Sequence, residues 1–368
     1  MTPATASYDT YGVLYSAHGI AIRNIWLLML YASELFNDVP YLQNQSGKER
    51  EAHELPDVIA EILVYFVKER LLRGLTRSSL PQQADLSRVR GRIDILRTEG
   101  HHLLDRGRIA CRFHEPTLNT PRNRLIKAAL EKGGYLASSR IATTCREYAA
   151  LMFRMGVTGN LPDRSTLSTE VDTINTREDR QALAAAHLLL EMAIPTSRTG
   201  KEYLLIPEVN ERWLRSLFER AVRGFYRVTA AQVWDVEKGN VYQDWPLENC
   251  SDGVFDTIPR MELDIVLTHK EQRHKVIIDT KFTSLLKLGQ YGKERLSSAY
   301  LYQMYAYLRA QEESGDKHAT GILLHPATET APKFSCSIQG HTIIFATVNL
   351  NATAADIRQS LLALIDVI

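Results

Sequence analysis

The chain has 368 residues, enough for two domains with separate cores, and its 44 Lys and Arg stand against 43 Asp and Glu. A formal net charge of +1 excludes a globally basic nucleic-acid coat, so any DNA contact must come from a local patch. Cys111, Cys145, Cys250 and Cys336 are scattered without C-x-x-C spacing, which argues against a zinc site or disulfide framework and for free buried thiols in a reducing cytoplasm.

Residues 1 to about 20 are small and polar without periodicity and read as an arm. From Arg23 to Phe36 the pattern becomes helical, with Trp26, Met29, Leu30 and Tyr31 at helix spacing, as core packing requires. The run Ile25 to Tyr31 is far short of the roughly 20 residues that span a bilayer, and neither a membrane segment nor a signal peptide is expected. A second helix opens at Pro56 and Asp57, lines one face with Ile59, Ile62, Leu63, Phe66 and Val67, and ends near Gly74. Arg88 to Ile95 and Arg108 to His114 read as strands dense in arginine. A solvated charged face is the simpler account, and a docking surface for an acidic partner or phosphate the sharper one.

Asn119 begins a helix that the Gly133-Gly134 pair should close, followed by helices at Thr143 to Met155 and Glu178 to Met192. Pro195 to Gly200 breaks the pattern and is the expected boundary between an N-terminal module, 1–199, and a C-terminal domain, 200–368. The second domain opens with Pro207, an N-cap at Asn210, and a helix to about Arg227 whose apolar face carries Trp213, Leu214, Leu217, Phe218, Ala221, Val222 and Phe225. Glu219 falls outside that face and reads as solvated. Trp234 and Trp245 flank a strand-and-loop passage.

Pro259 to Leu267 and Val276 to Phe282 are β-branched, strand-length runs that carry acids packing does not need. Side chains alternate along a strand, so Asp279 and Lys281 project from one face and Ile278, Thr280 and Phe282 from the other. Pairing through a turn at His269 to His274 would bring Asp264 beside Asp279. Two carboxylates suit a hard divalent ion such as Mg²⁺, and with an adjacent lysine they make a set fit for phosphodiester hydrolysis. The competing account of Asp279-x-Lys281 is a same-face ion pair without catalytic role. Beyond it, Lys287, Gly289, Gln290, Gly292, Lys293 and Arg295 read as a basic loop, solvated or near a phosphate backbone. A helix from Ser297 to Ala310 follows, with Gln303 and Tyr307 one turn apart. The chain ends with strands at Gly321 to Pro326 and Ile343 to Val348 and a helix from Ala354 to Ile368. No G-x-x-x-x-G-K-[ST], H-E-x-x-H or G-x-S-x-G motif occurs.

An acid-bearing strand, a turn, a strand ending in Asp279-Thr280-Lys281 and a helix with Gln303 and Tyr307 resemble the PD-(D/E)xK nuclease core. Pro259 to Ile265, Ile278 to Phe282, Leu301 to Tyr307, Thr347 to Leu350, Ile22 to Ala32 and Gly91 to Ile93 resemble, within that superfamily, the McrC subunit of the McrBC modification-dependent restriction endonucleases. The resemblance implies an α/β protein, an α+β N-terminal module followed by a restriction-endonuclease-like mixed-sheet domain. Asp264 and Asp279 would bind Mg²⁺, with the Thr280 carbonyl assisting. Lys281 would position the water, and Gln303 would bond the lysine, the water or DNA, or else serve as a buried structural glutamine. It further implies double-stranded DNA with modified bases as substrate, and a McrB-like AAA+ hexamer as partner, which hydrolyses the GTP and engages the N-terminal module. A motor-activating or DNA-binding subunit with an inert nuclease fold, and a stand-alone repair-type nuclease, remain the alternatives.

Overall fold

A computed structural model describes residues 7–8, 14–15, 19–33, 35, 55–163, 177–191, 211–245, 247, 251, 253–288, 293–313, 319–329 and 332–366. The architecture is α/β. Two compact units form, Met1–Leu55 with Pro195–Ile368, and Pro56–Ile194. This differs from the expected division at 199/200 in its first 55 residues. The expected breaks at Pro195 to Gly200, Pro207 and Asn210 lie outside the described residues, as does Cys250.

Within the supposed arm, β1 (Ser7–Tyr8) pairs antiparallel with β2 (Leu14–Tyr15). Ile20 and Ala21 are buried, and Asn351 holds this stretch by accepting from the Ala21 N–H at 2.9 Å and donating to the Gly19 carbonyl at 2.9 Å. Helix α1 (Ile22–Ala32) follows, with Ile25, Leu27, Leu28 and Leu30 buried, so its apolar face is core.

In the second unit, α2 (Leu55–Arg73) stops before Gly74, whose φ of +94° suits glycine at a helix end. Strand β3 (Ser78–Leu86) was not expected, because Ser-Ser-Leu-Pro-Gln-Gln carries no apolar alternation; it lies at a sheet edge, where Pro81 is tolerated. The expected strand Arg88 to Ile95 shrinks to β4 (Arg92–Ile93). Gly91 has φ +71°, and Asp94 caps a short helix α3 (Ile95–Gly100) by accepting from the Arg97 N–H at 3.1 Å. Strand β5 (Ile109–Thr117) lies between β3 and β4. Three of the seven arginines between 88 and 112 meet acids of their own unit: Arg90–Glu115 at 3.4 Å, Arg97–Asp85 at 3.3 Å and Arg112–Asp94 at 2.6 Å. The solvated charged face thus describes this sheet better than a free cationic one.

Helix α4 (Pro121–Leu136) runs through Gly133 and Gly134 instead of ending there. Both glycines are close-approach points: a Cβ on Gly133 would sit 3.1 Å from Cys145 Sγ, and one on Gly134 2.7 Å from Arg146 Cγ. Cys145 and Arg146 belong to α5 (Ser139–Arg154), and α6 (Arg177–Glu191) completes the group; buried Arg70 bonds Asp179 of α6 and Asn123 of α4.

Back in the first unit, α7 (Glu211–Thr229) packs on α1. Tyr31 meets Phe225 edge-on at 5.3 Å, and a Cβ on Gly224 would come 2.1 Å from the Tyr31 carbonyl oxygen. This packing is what carries α1 into the C-terminal unit. Strands β6 (Trp234–Val236) and β7 (Val241–Gln243) and the one-turn α8 (Val254–Thr257) lead to the acid-bearing run. That run is two strands, β8 (Met261–Leu263) and β9 (Ile265–His269), separated by a bend at Asp264: β8 pairs with β7, and β9 with β6 and with β10 (Lys275–Thr280).

The expected loop beyond Lys281 is a hairpin, β11 (Leu286–Leu288) with β12 (Glu294–Leu296); Gly289, Gln290 and Gly292 lie outside the described residues. Then come α9 (Ser298–Glu313), β13 (Thr320–Ala327), an unexpected edge strand β14 (Phe334–Ile338) holding exposed Cys336, β15 (His341–Asn349) and α10 (Ala354–Ile365). Only Cys111 and Cys145 of the described cysteines are the buried thiols expected.

The sheet order is β14-β15-β13-β10-β9-β6, with β13 parallel to β10 and β15 and the remaining pairs antiparallel. Ile277, Leu323 and Phe345 face Met304, Tyr307 and Leu308 of α9, while Phe282 meets Phe218 of α7 at 6.0 Å. Both faces are covered, which is why β10 and β13 read as unbroken apolar runs. No described helix is long and apolar enough to cross a membrane.

Candidate active site

The C-terminal end of β10 is where charge enters this apolar sheet. Asp279 is 1 % exposed, and Lys281 follows on the same face with its Nζ 2.7 Å from Asp279 Oδ2, an ion pair on a carboxylate that solvent hardly reaches. The register that pairs Ile278 with Ile265 carries Asp264 to the same edge, where its Oδ2 accepts from the Thr280 N–H at 2.8 Å and the Thr280 hydroxyl at 2.9 Å. Asp264, Asp279 and Lys281 therefore converge as the strand pattern predicted.

Asp264 is fixed from behind as well. Buried Arg223 of α7 donates to the Asp264 carbonyl from Nη2 at 2.6 Å and from Nε at 3.1 Å, and also reaches Glu219 at 2.7 Å and the Asn240 side chain. These bonds satisfy backbone that the bend removes from the sheet ladder. Glu219, expected to be solvated, is instead half-buried beside this group: burial raises its pKa, and the Asp264 charge raises it further against the pull of Arg223. The resemblance to PD-(D/E)xK nucleases does offer Glu219 as a further acid of this helix, the alternative to the solvated reading, whereas Arg223 was not singled out by sequence, though an arginine amid Ala221, Val222 and Phe225 on an apolar helix face was a usable signal.

Gln303 takes the structural one of its two expected roles. Its amide bonds the Tyr307 hydroxyl, which donates to the Glu262 carbonyl at 2.8 Å, so the pair braces the strand just before the bend rather than touching Lys281. Burial pushes the Tyr307 phenol up to about 12, keeping it a donor. Trp245, on its loop, donates to the Pro259 carbonyl at 2.7 Å. On the lysine side, Nζ of Lys281 and of Lys287 lie 5.1 and 5.3 Å from the centre of the Tyr300 ring, and His325 donates from Nδ1 to the Thr283 carbonyl at 2.8 Å. Burial first, then the two lysines, lower the His325 pKa and favour its neutral form.

The acids outweigh the cations at the bend. Burial pushes the Asp279 carboxyl up to about 6, and Asp264 and Glu219 push the same way while Lys281 opposes them. Among the described residues no three His, Cys, Asp or Glu side chains gather closely enough to enclose an ion. Mg²⁺ does not need that: it keeps most of its waters and takes one or two carboxylates. A buried carboxylate that its lysine does not bring back to the ordinary range, beside a second carboxylate that pushes it the same way, fits such an ion.

A family model described as McrBC 5-methylcytosine restriction system component matches residues 9–326. The type IV methyl-directed restriction enzyme EcoKMcrBC of Escherichia coli K12 is 26 % identical over 358 residues, covering 94 % of this chain and 97 % of that one. Two solved structures from Thermococcus gammatolerans also match. A half-complex of McrB AAA+ hexamers with bound McrC is 15 % identical with a TM-score of 0.43, covering 92 % of this chain and 76 % of that one. A McrBC complex is 14 % identical with a TM-score of 0.35, covering 54 % and 56 %.

Proposed function

Because the chain belongs to the family of McrBC 5-methylcytosine restriction system components, we propose that it is the endonuclease subunit of such a system, hydrolysing phosphodiester bonds of double-stranded DNA with modified bases. The supporting observation is the convergence of Asp264, Asp279 and Lys281 at the end of β10. Asp264 and Asp279 would hold one Mg²⁺, with the Thr280 carbonyl assisting. When bound, that ion supplies an acidified water and charge neutralisation at the phosphorus.

The chain's own groups do the rest. Arg223 and Thr280 hold Asp264 from its carbonyl and its carboxylate, and Tyr307 steadies Glu262, so the first acid is fixed before substrate arrives. Lys281 orients the attacking water or balances charge developing on the phosphate oxygens. Gln303 acts through Tyr307 and is a positioning residue.

The partner would be a McrB-like AAA+ hexamer that hydrolyses GTP and reads the modified base, in the cytoplasm; this chain has no phosphate loop of its own. Asp279→Ala is expected to abolish cleavage while leaving stimulation of the partner GTPase intact, measured with nicked and linear DNA products and phosphate release. Unchanged cleavage would overturn the catalytic assignment, and efficient cutting without any NTPase would favour a stand-alone repair-type nuclease.

A further inference from the structure

The β11–β12 hairpin carries a feature that folding alone does not explain. Leu286 and Leu296 are paired and turned inward, packed against the core between the sheet and α9. The next pair, Lys287 opposite Arg295, is exposed. Directly opposed side chains on antiparallel strands have Cβ atoms about 5 Å apart, and like charges there are destabilising. Neither cation has a carboxylate within ion-pair reach among the described residues, and exposed Lys293 adds a third charge at the start of β12.

The repulsion runs on towards the active site. Lys287 Nζ shares the Tyr300 ring with Lys281, the cation of the Asp279 pair, so Tyr300 links the hairpin to the site edge. Lys281 has a carboxylate partner in Asp279, whereas Lys287 meets only the Tyr300 ring and neither it nor Arg295 has a carboxylate partner among the described residues. A ligand with repeated negative charges satisfies this second pair, while a lone small anion would reach only part of it.

We propose that the outward face of this hairpin, Lys287 and Arg295 with Tyr300 as its inner wall, grips phosphates of the DNA strand beside the scissile one. The assignment rests on the nuclease reading for its substrate, but not on Asp279 being catalytic. These contacts position the strand without reading bases, so they act equally on all sequences.

The test uses the full chain with a fluorescent duplex, without divalent metal so that binding is read apart from cleavage. Removing one phosphate contact should make the slope of log K against log salt shallower by about 0.9, so Lys287→Ala with Arg295→Ala should lose about 2 from it. Arg295→Glu is the sharper variant. It replaces a like-charged pair by an opposite one, and should weaken duplex binding while raising the melting temperature by about 1–3 °C. Tyr300→Phe keeps the ring and should bind as wild type, whereas Tyr300→Leu should not. An unchanged salt slope in the double variant, or a wild-type chain without measurable duplex affinity at low salt, overturns the proposal. So does loss of binding to a protein partner with duplex affinity unchanged. If Asp279→Ala leaves cleavage intact but the salt slope still falls in the hairpin variants, the catalytic assignment fails and the phosphate grip stands.

Discussion

Two aspartate–cation pairs, one in each compact unit, have almost the same length and opposite electrostatics. Arg112 meets Asp94 at 2.6 Å on the small sheet of the Pro56–Ile194 unit, with 63 % of the arginine and 11 % of the aspartate side chain exposed. Lys281 meets Asp279 at 2.7 Å with the aspartate 2 % exposed. The Asp94 carboxyl is held below its usual pKa, chiefly by the Arg97 N–H and then by Arg112, whereas burial lifts Asp279 to about 6 despite its lysine. Separation therefore does not rank ion pairs; what surrounds them does. In the small sheet water reaches the arginine while the Arg97 N–H already holds the aspartate, so the pair itself is expected to contribute little. At the end of β10 the lysine alone does not offset the burial of Asp279 and the neighbouring acids, and the shortfall is what an added cation would relieve.

The largest expected effect tests whether buried charge is indeed held by its neighbours. Arg223→Met leaves Glu219 and the Asp264 carbonyl without their donor and should cost about 3–5 kcal/mol in urea unfolding. A loss below about 1 kcal/mol would show that solvent reaches this group after all. Next, Lys281→Met should slow cleavage by about 10²–10³-fold with DNA affinity little changed, as for loss of one charge-stabilising group, and should raise the Asp279 pKa further because Lys281 opposes its rise.

A smaller effect carries the sharpest sign. With a pKa raised from 3.8 to about 6, folded Asp279 holds a proton that the unfolded chain has released. Stability of the metal-free protein should therefore fall as pH rises from about 4 through about 6, by at most about 3 kcal/mol. Asp279→Asn should accordingly stabilise the metal-free protein at pH 8 by about 1–3 kcal/mol, do nothing at pH 4, and abolish the rise in melting temperature that Mg²⁺ gives the wild type. A variant less stable than wild type at pH 8 would show that Lys281 already balances the charge. Smallest of all, Arg112→Ala should leave the unfolding midpoint unresolved from wild type, and a clear shift would break the contrast between the two pairs.

The same contrast explains which parts of the molecule were legible in the amino-acid order. β10 and β13 are buried on both faces, so their apolar runs stand out, and the strand period alone puts Asp279 and Lys281 on one face. β3, β14 and the β11–β12 hairpin are edge or two-strand elements with polar faces, where backbone pairing rather than side-chain burial defines the strand, and no alternation announces them. Gly133 and Gly134 read as a helix stop because local propensity says so. They stay inside the helix, where α5 comes close enough to crowd a Cβ at either position.

From sequence alone came the two acids and the lysine, the strand and helix that carry them, and the family resemblance, because local periodicity and short-range order are written along the chain. Only the tertiary structure decided that the acid-bearing run breaks at Asp264, that Arg223, 41 positions away, anchors the break, and that Glu219 is half-buried beside it rather than solvated. It also decided that Gln303 braces Tyr307 and that α1 packs with the C-terminal unit. Those outcomes depend on which distant groups satisfy buried backbone and buried charge, a requirement that arises only once the elements have packed and water has left.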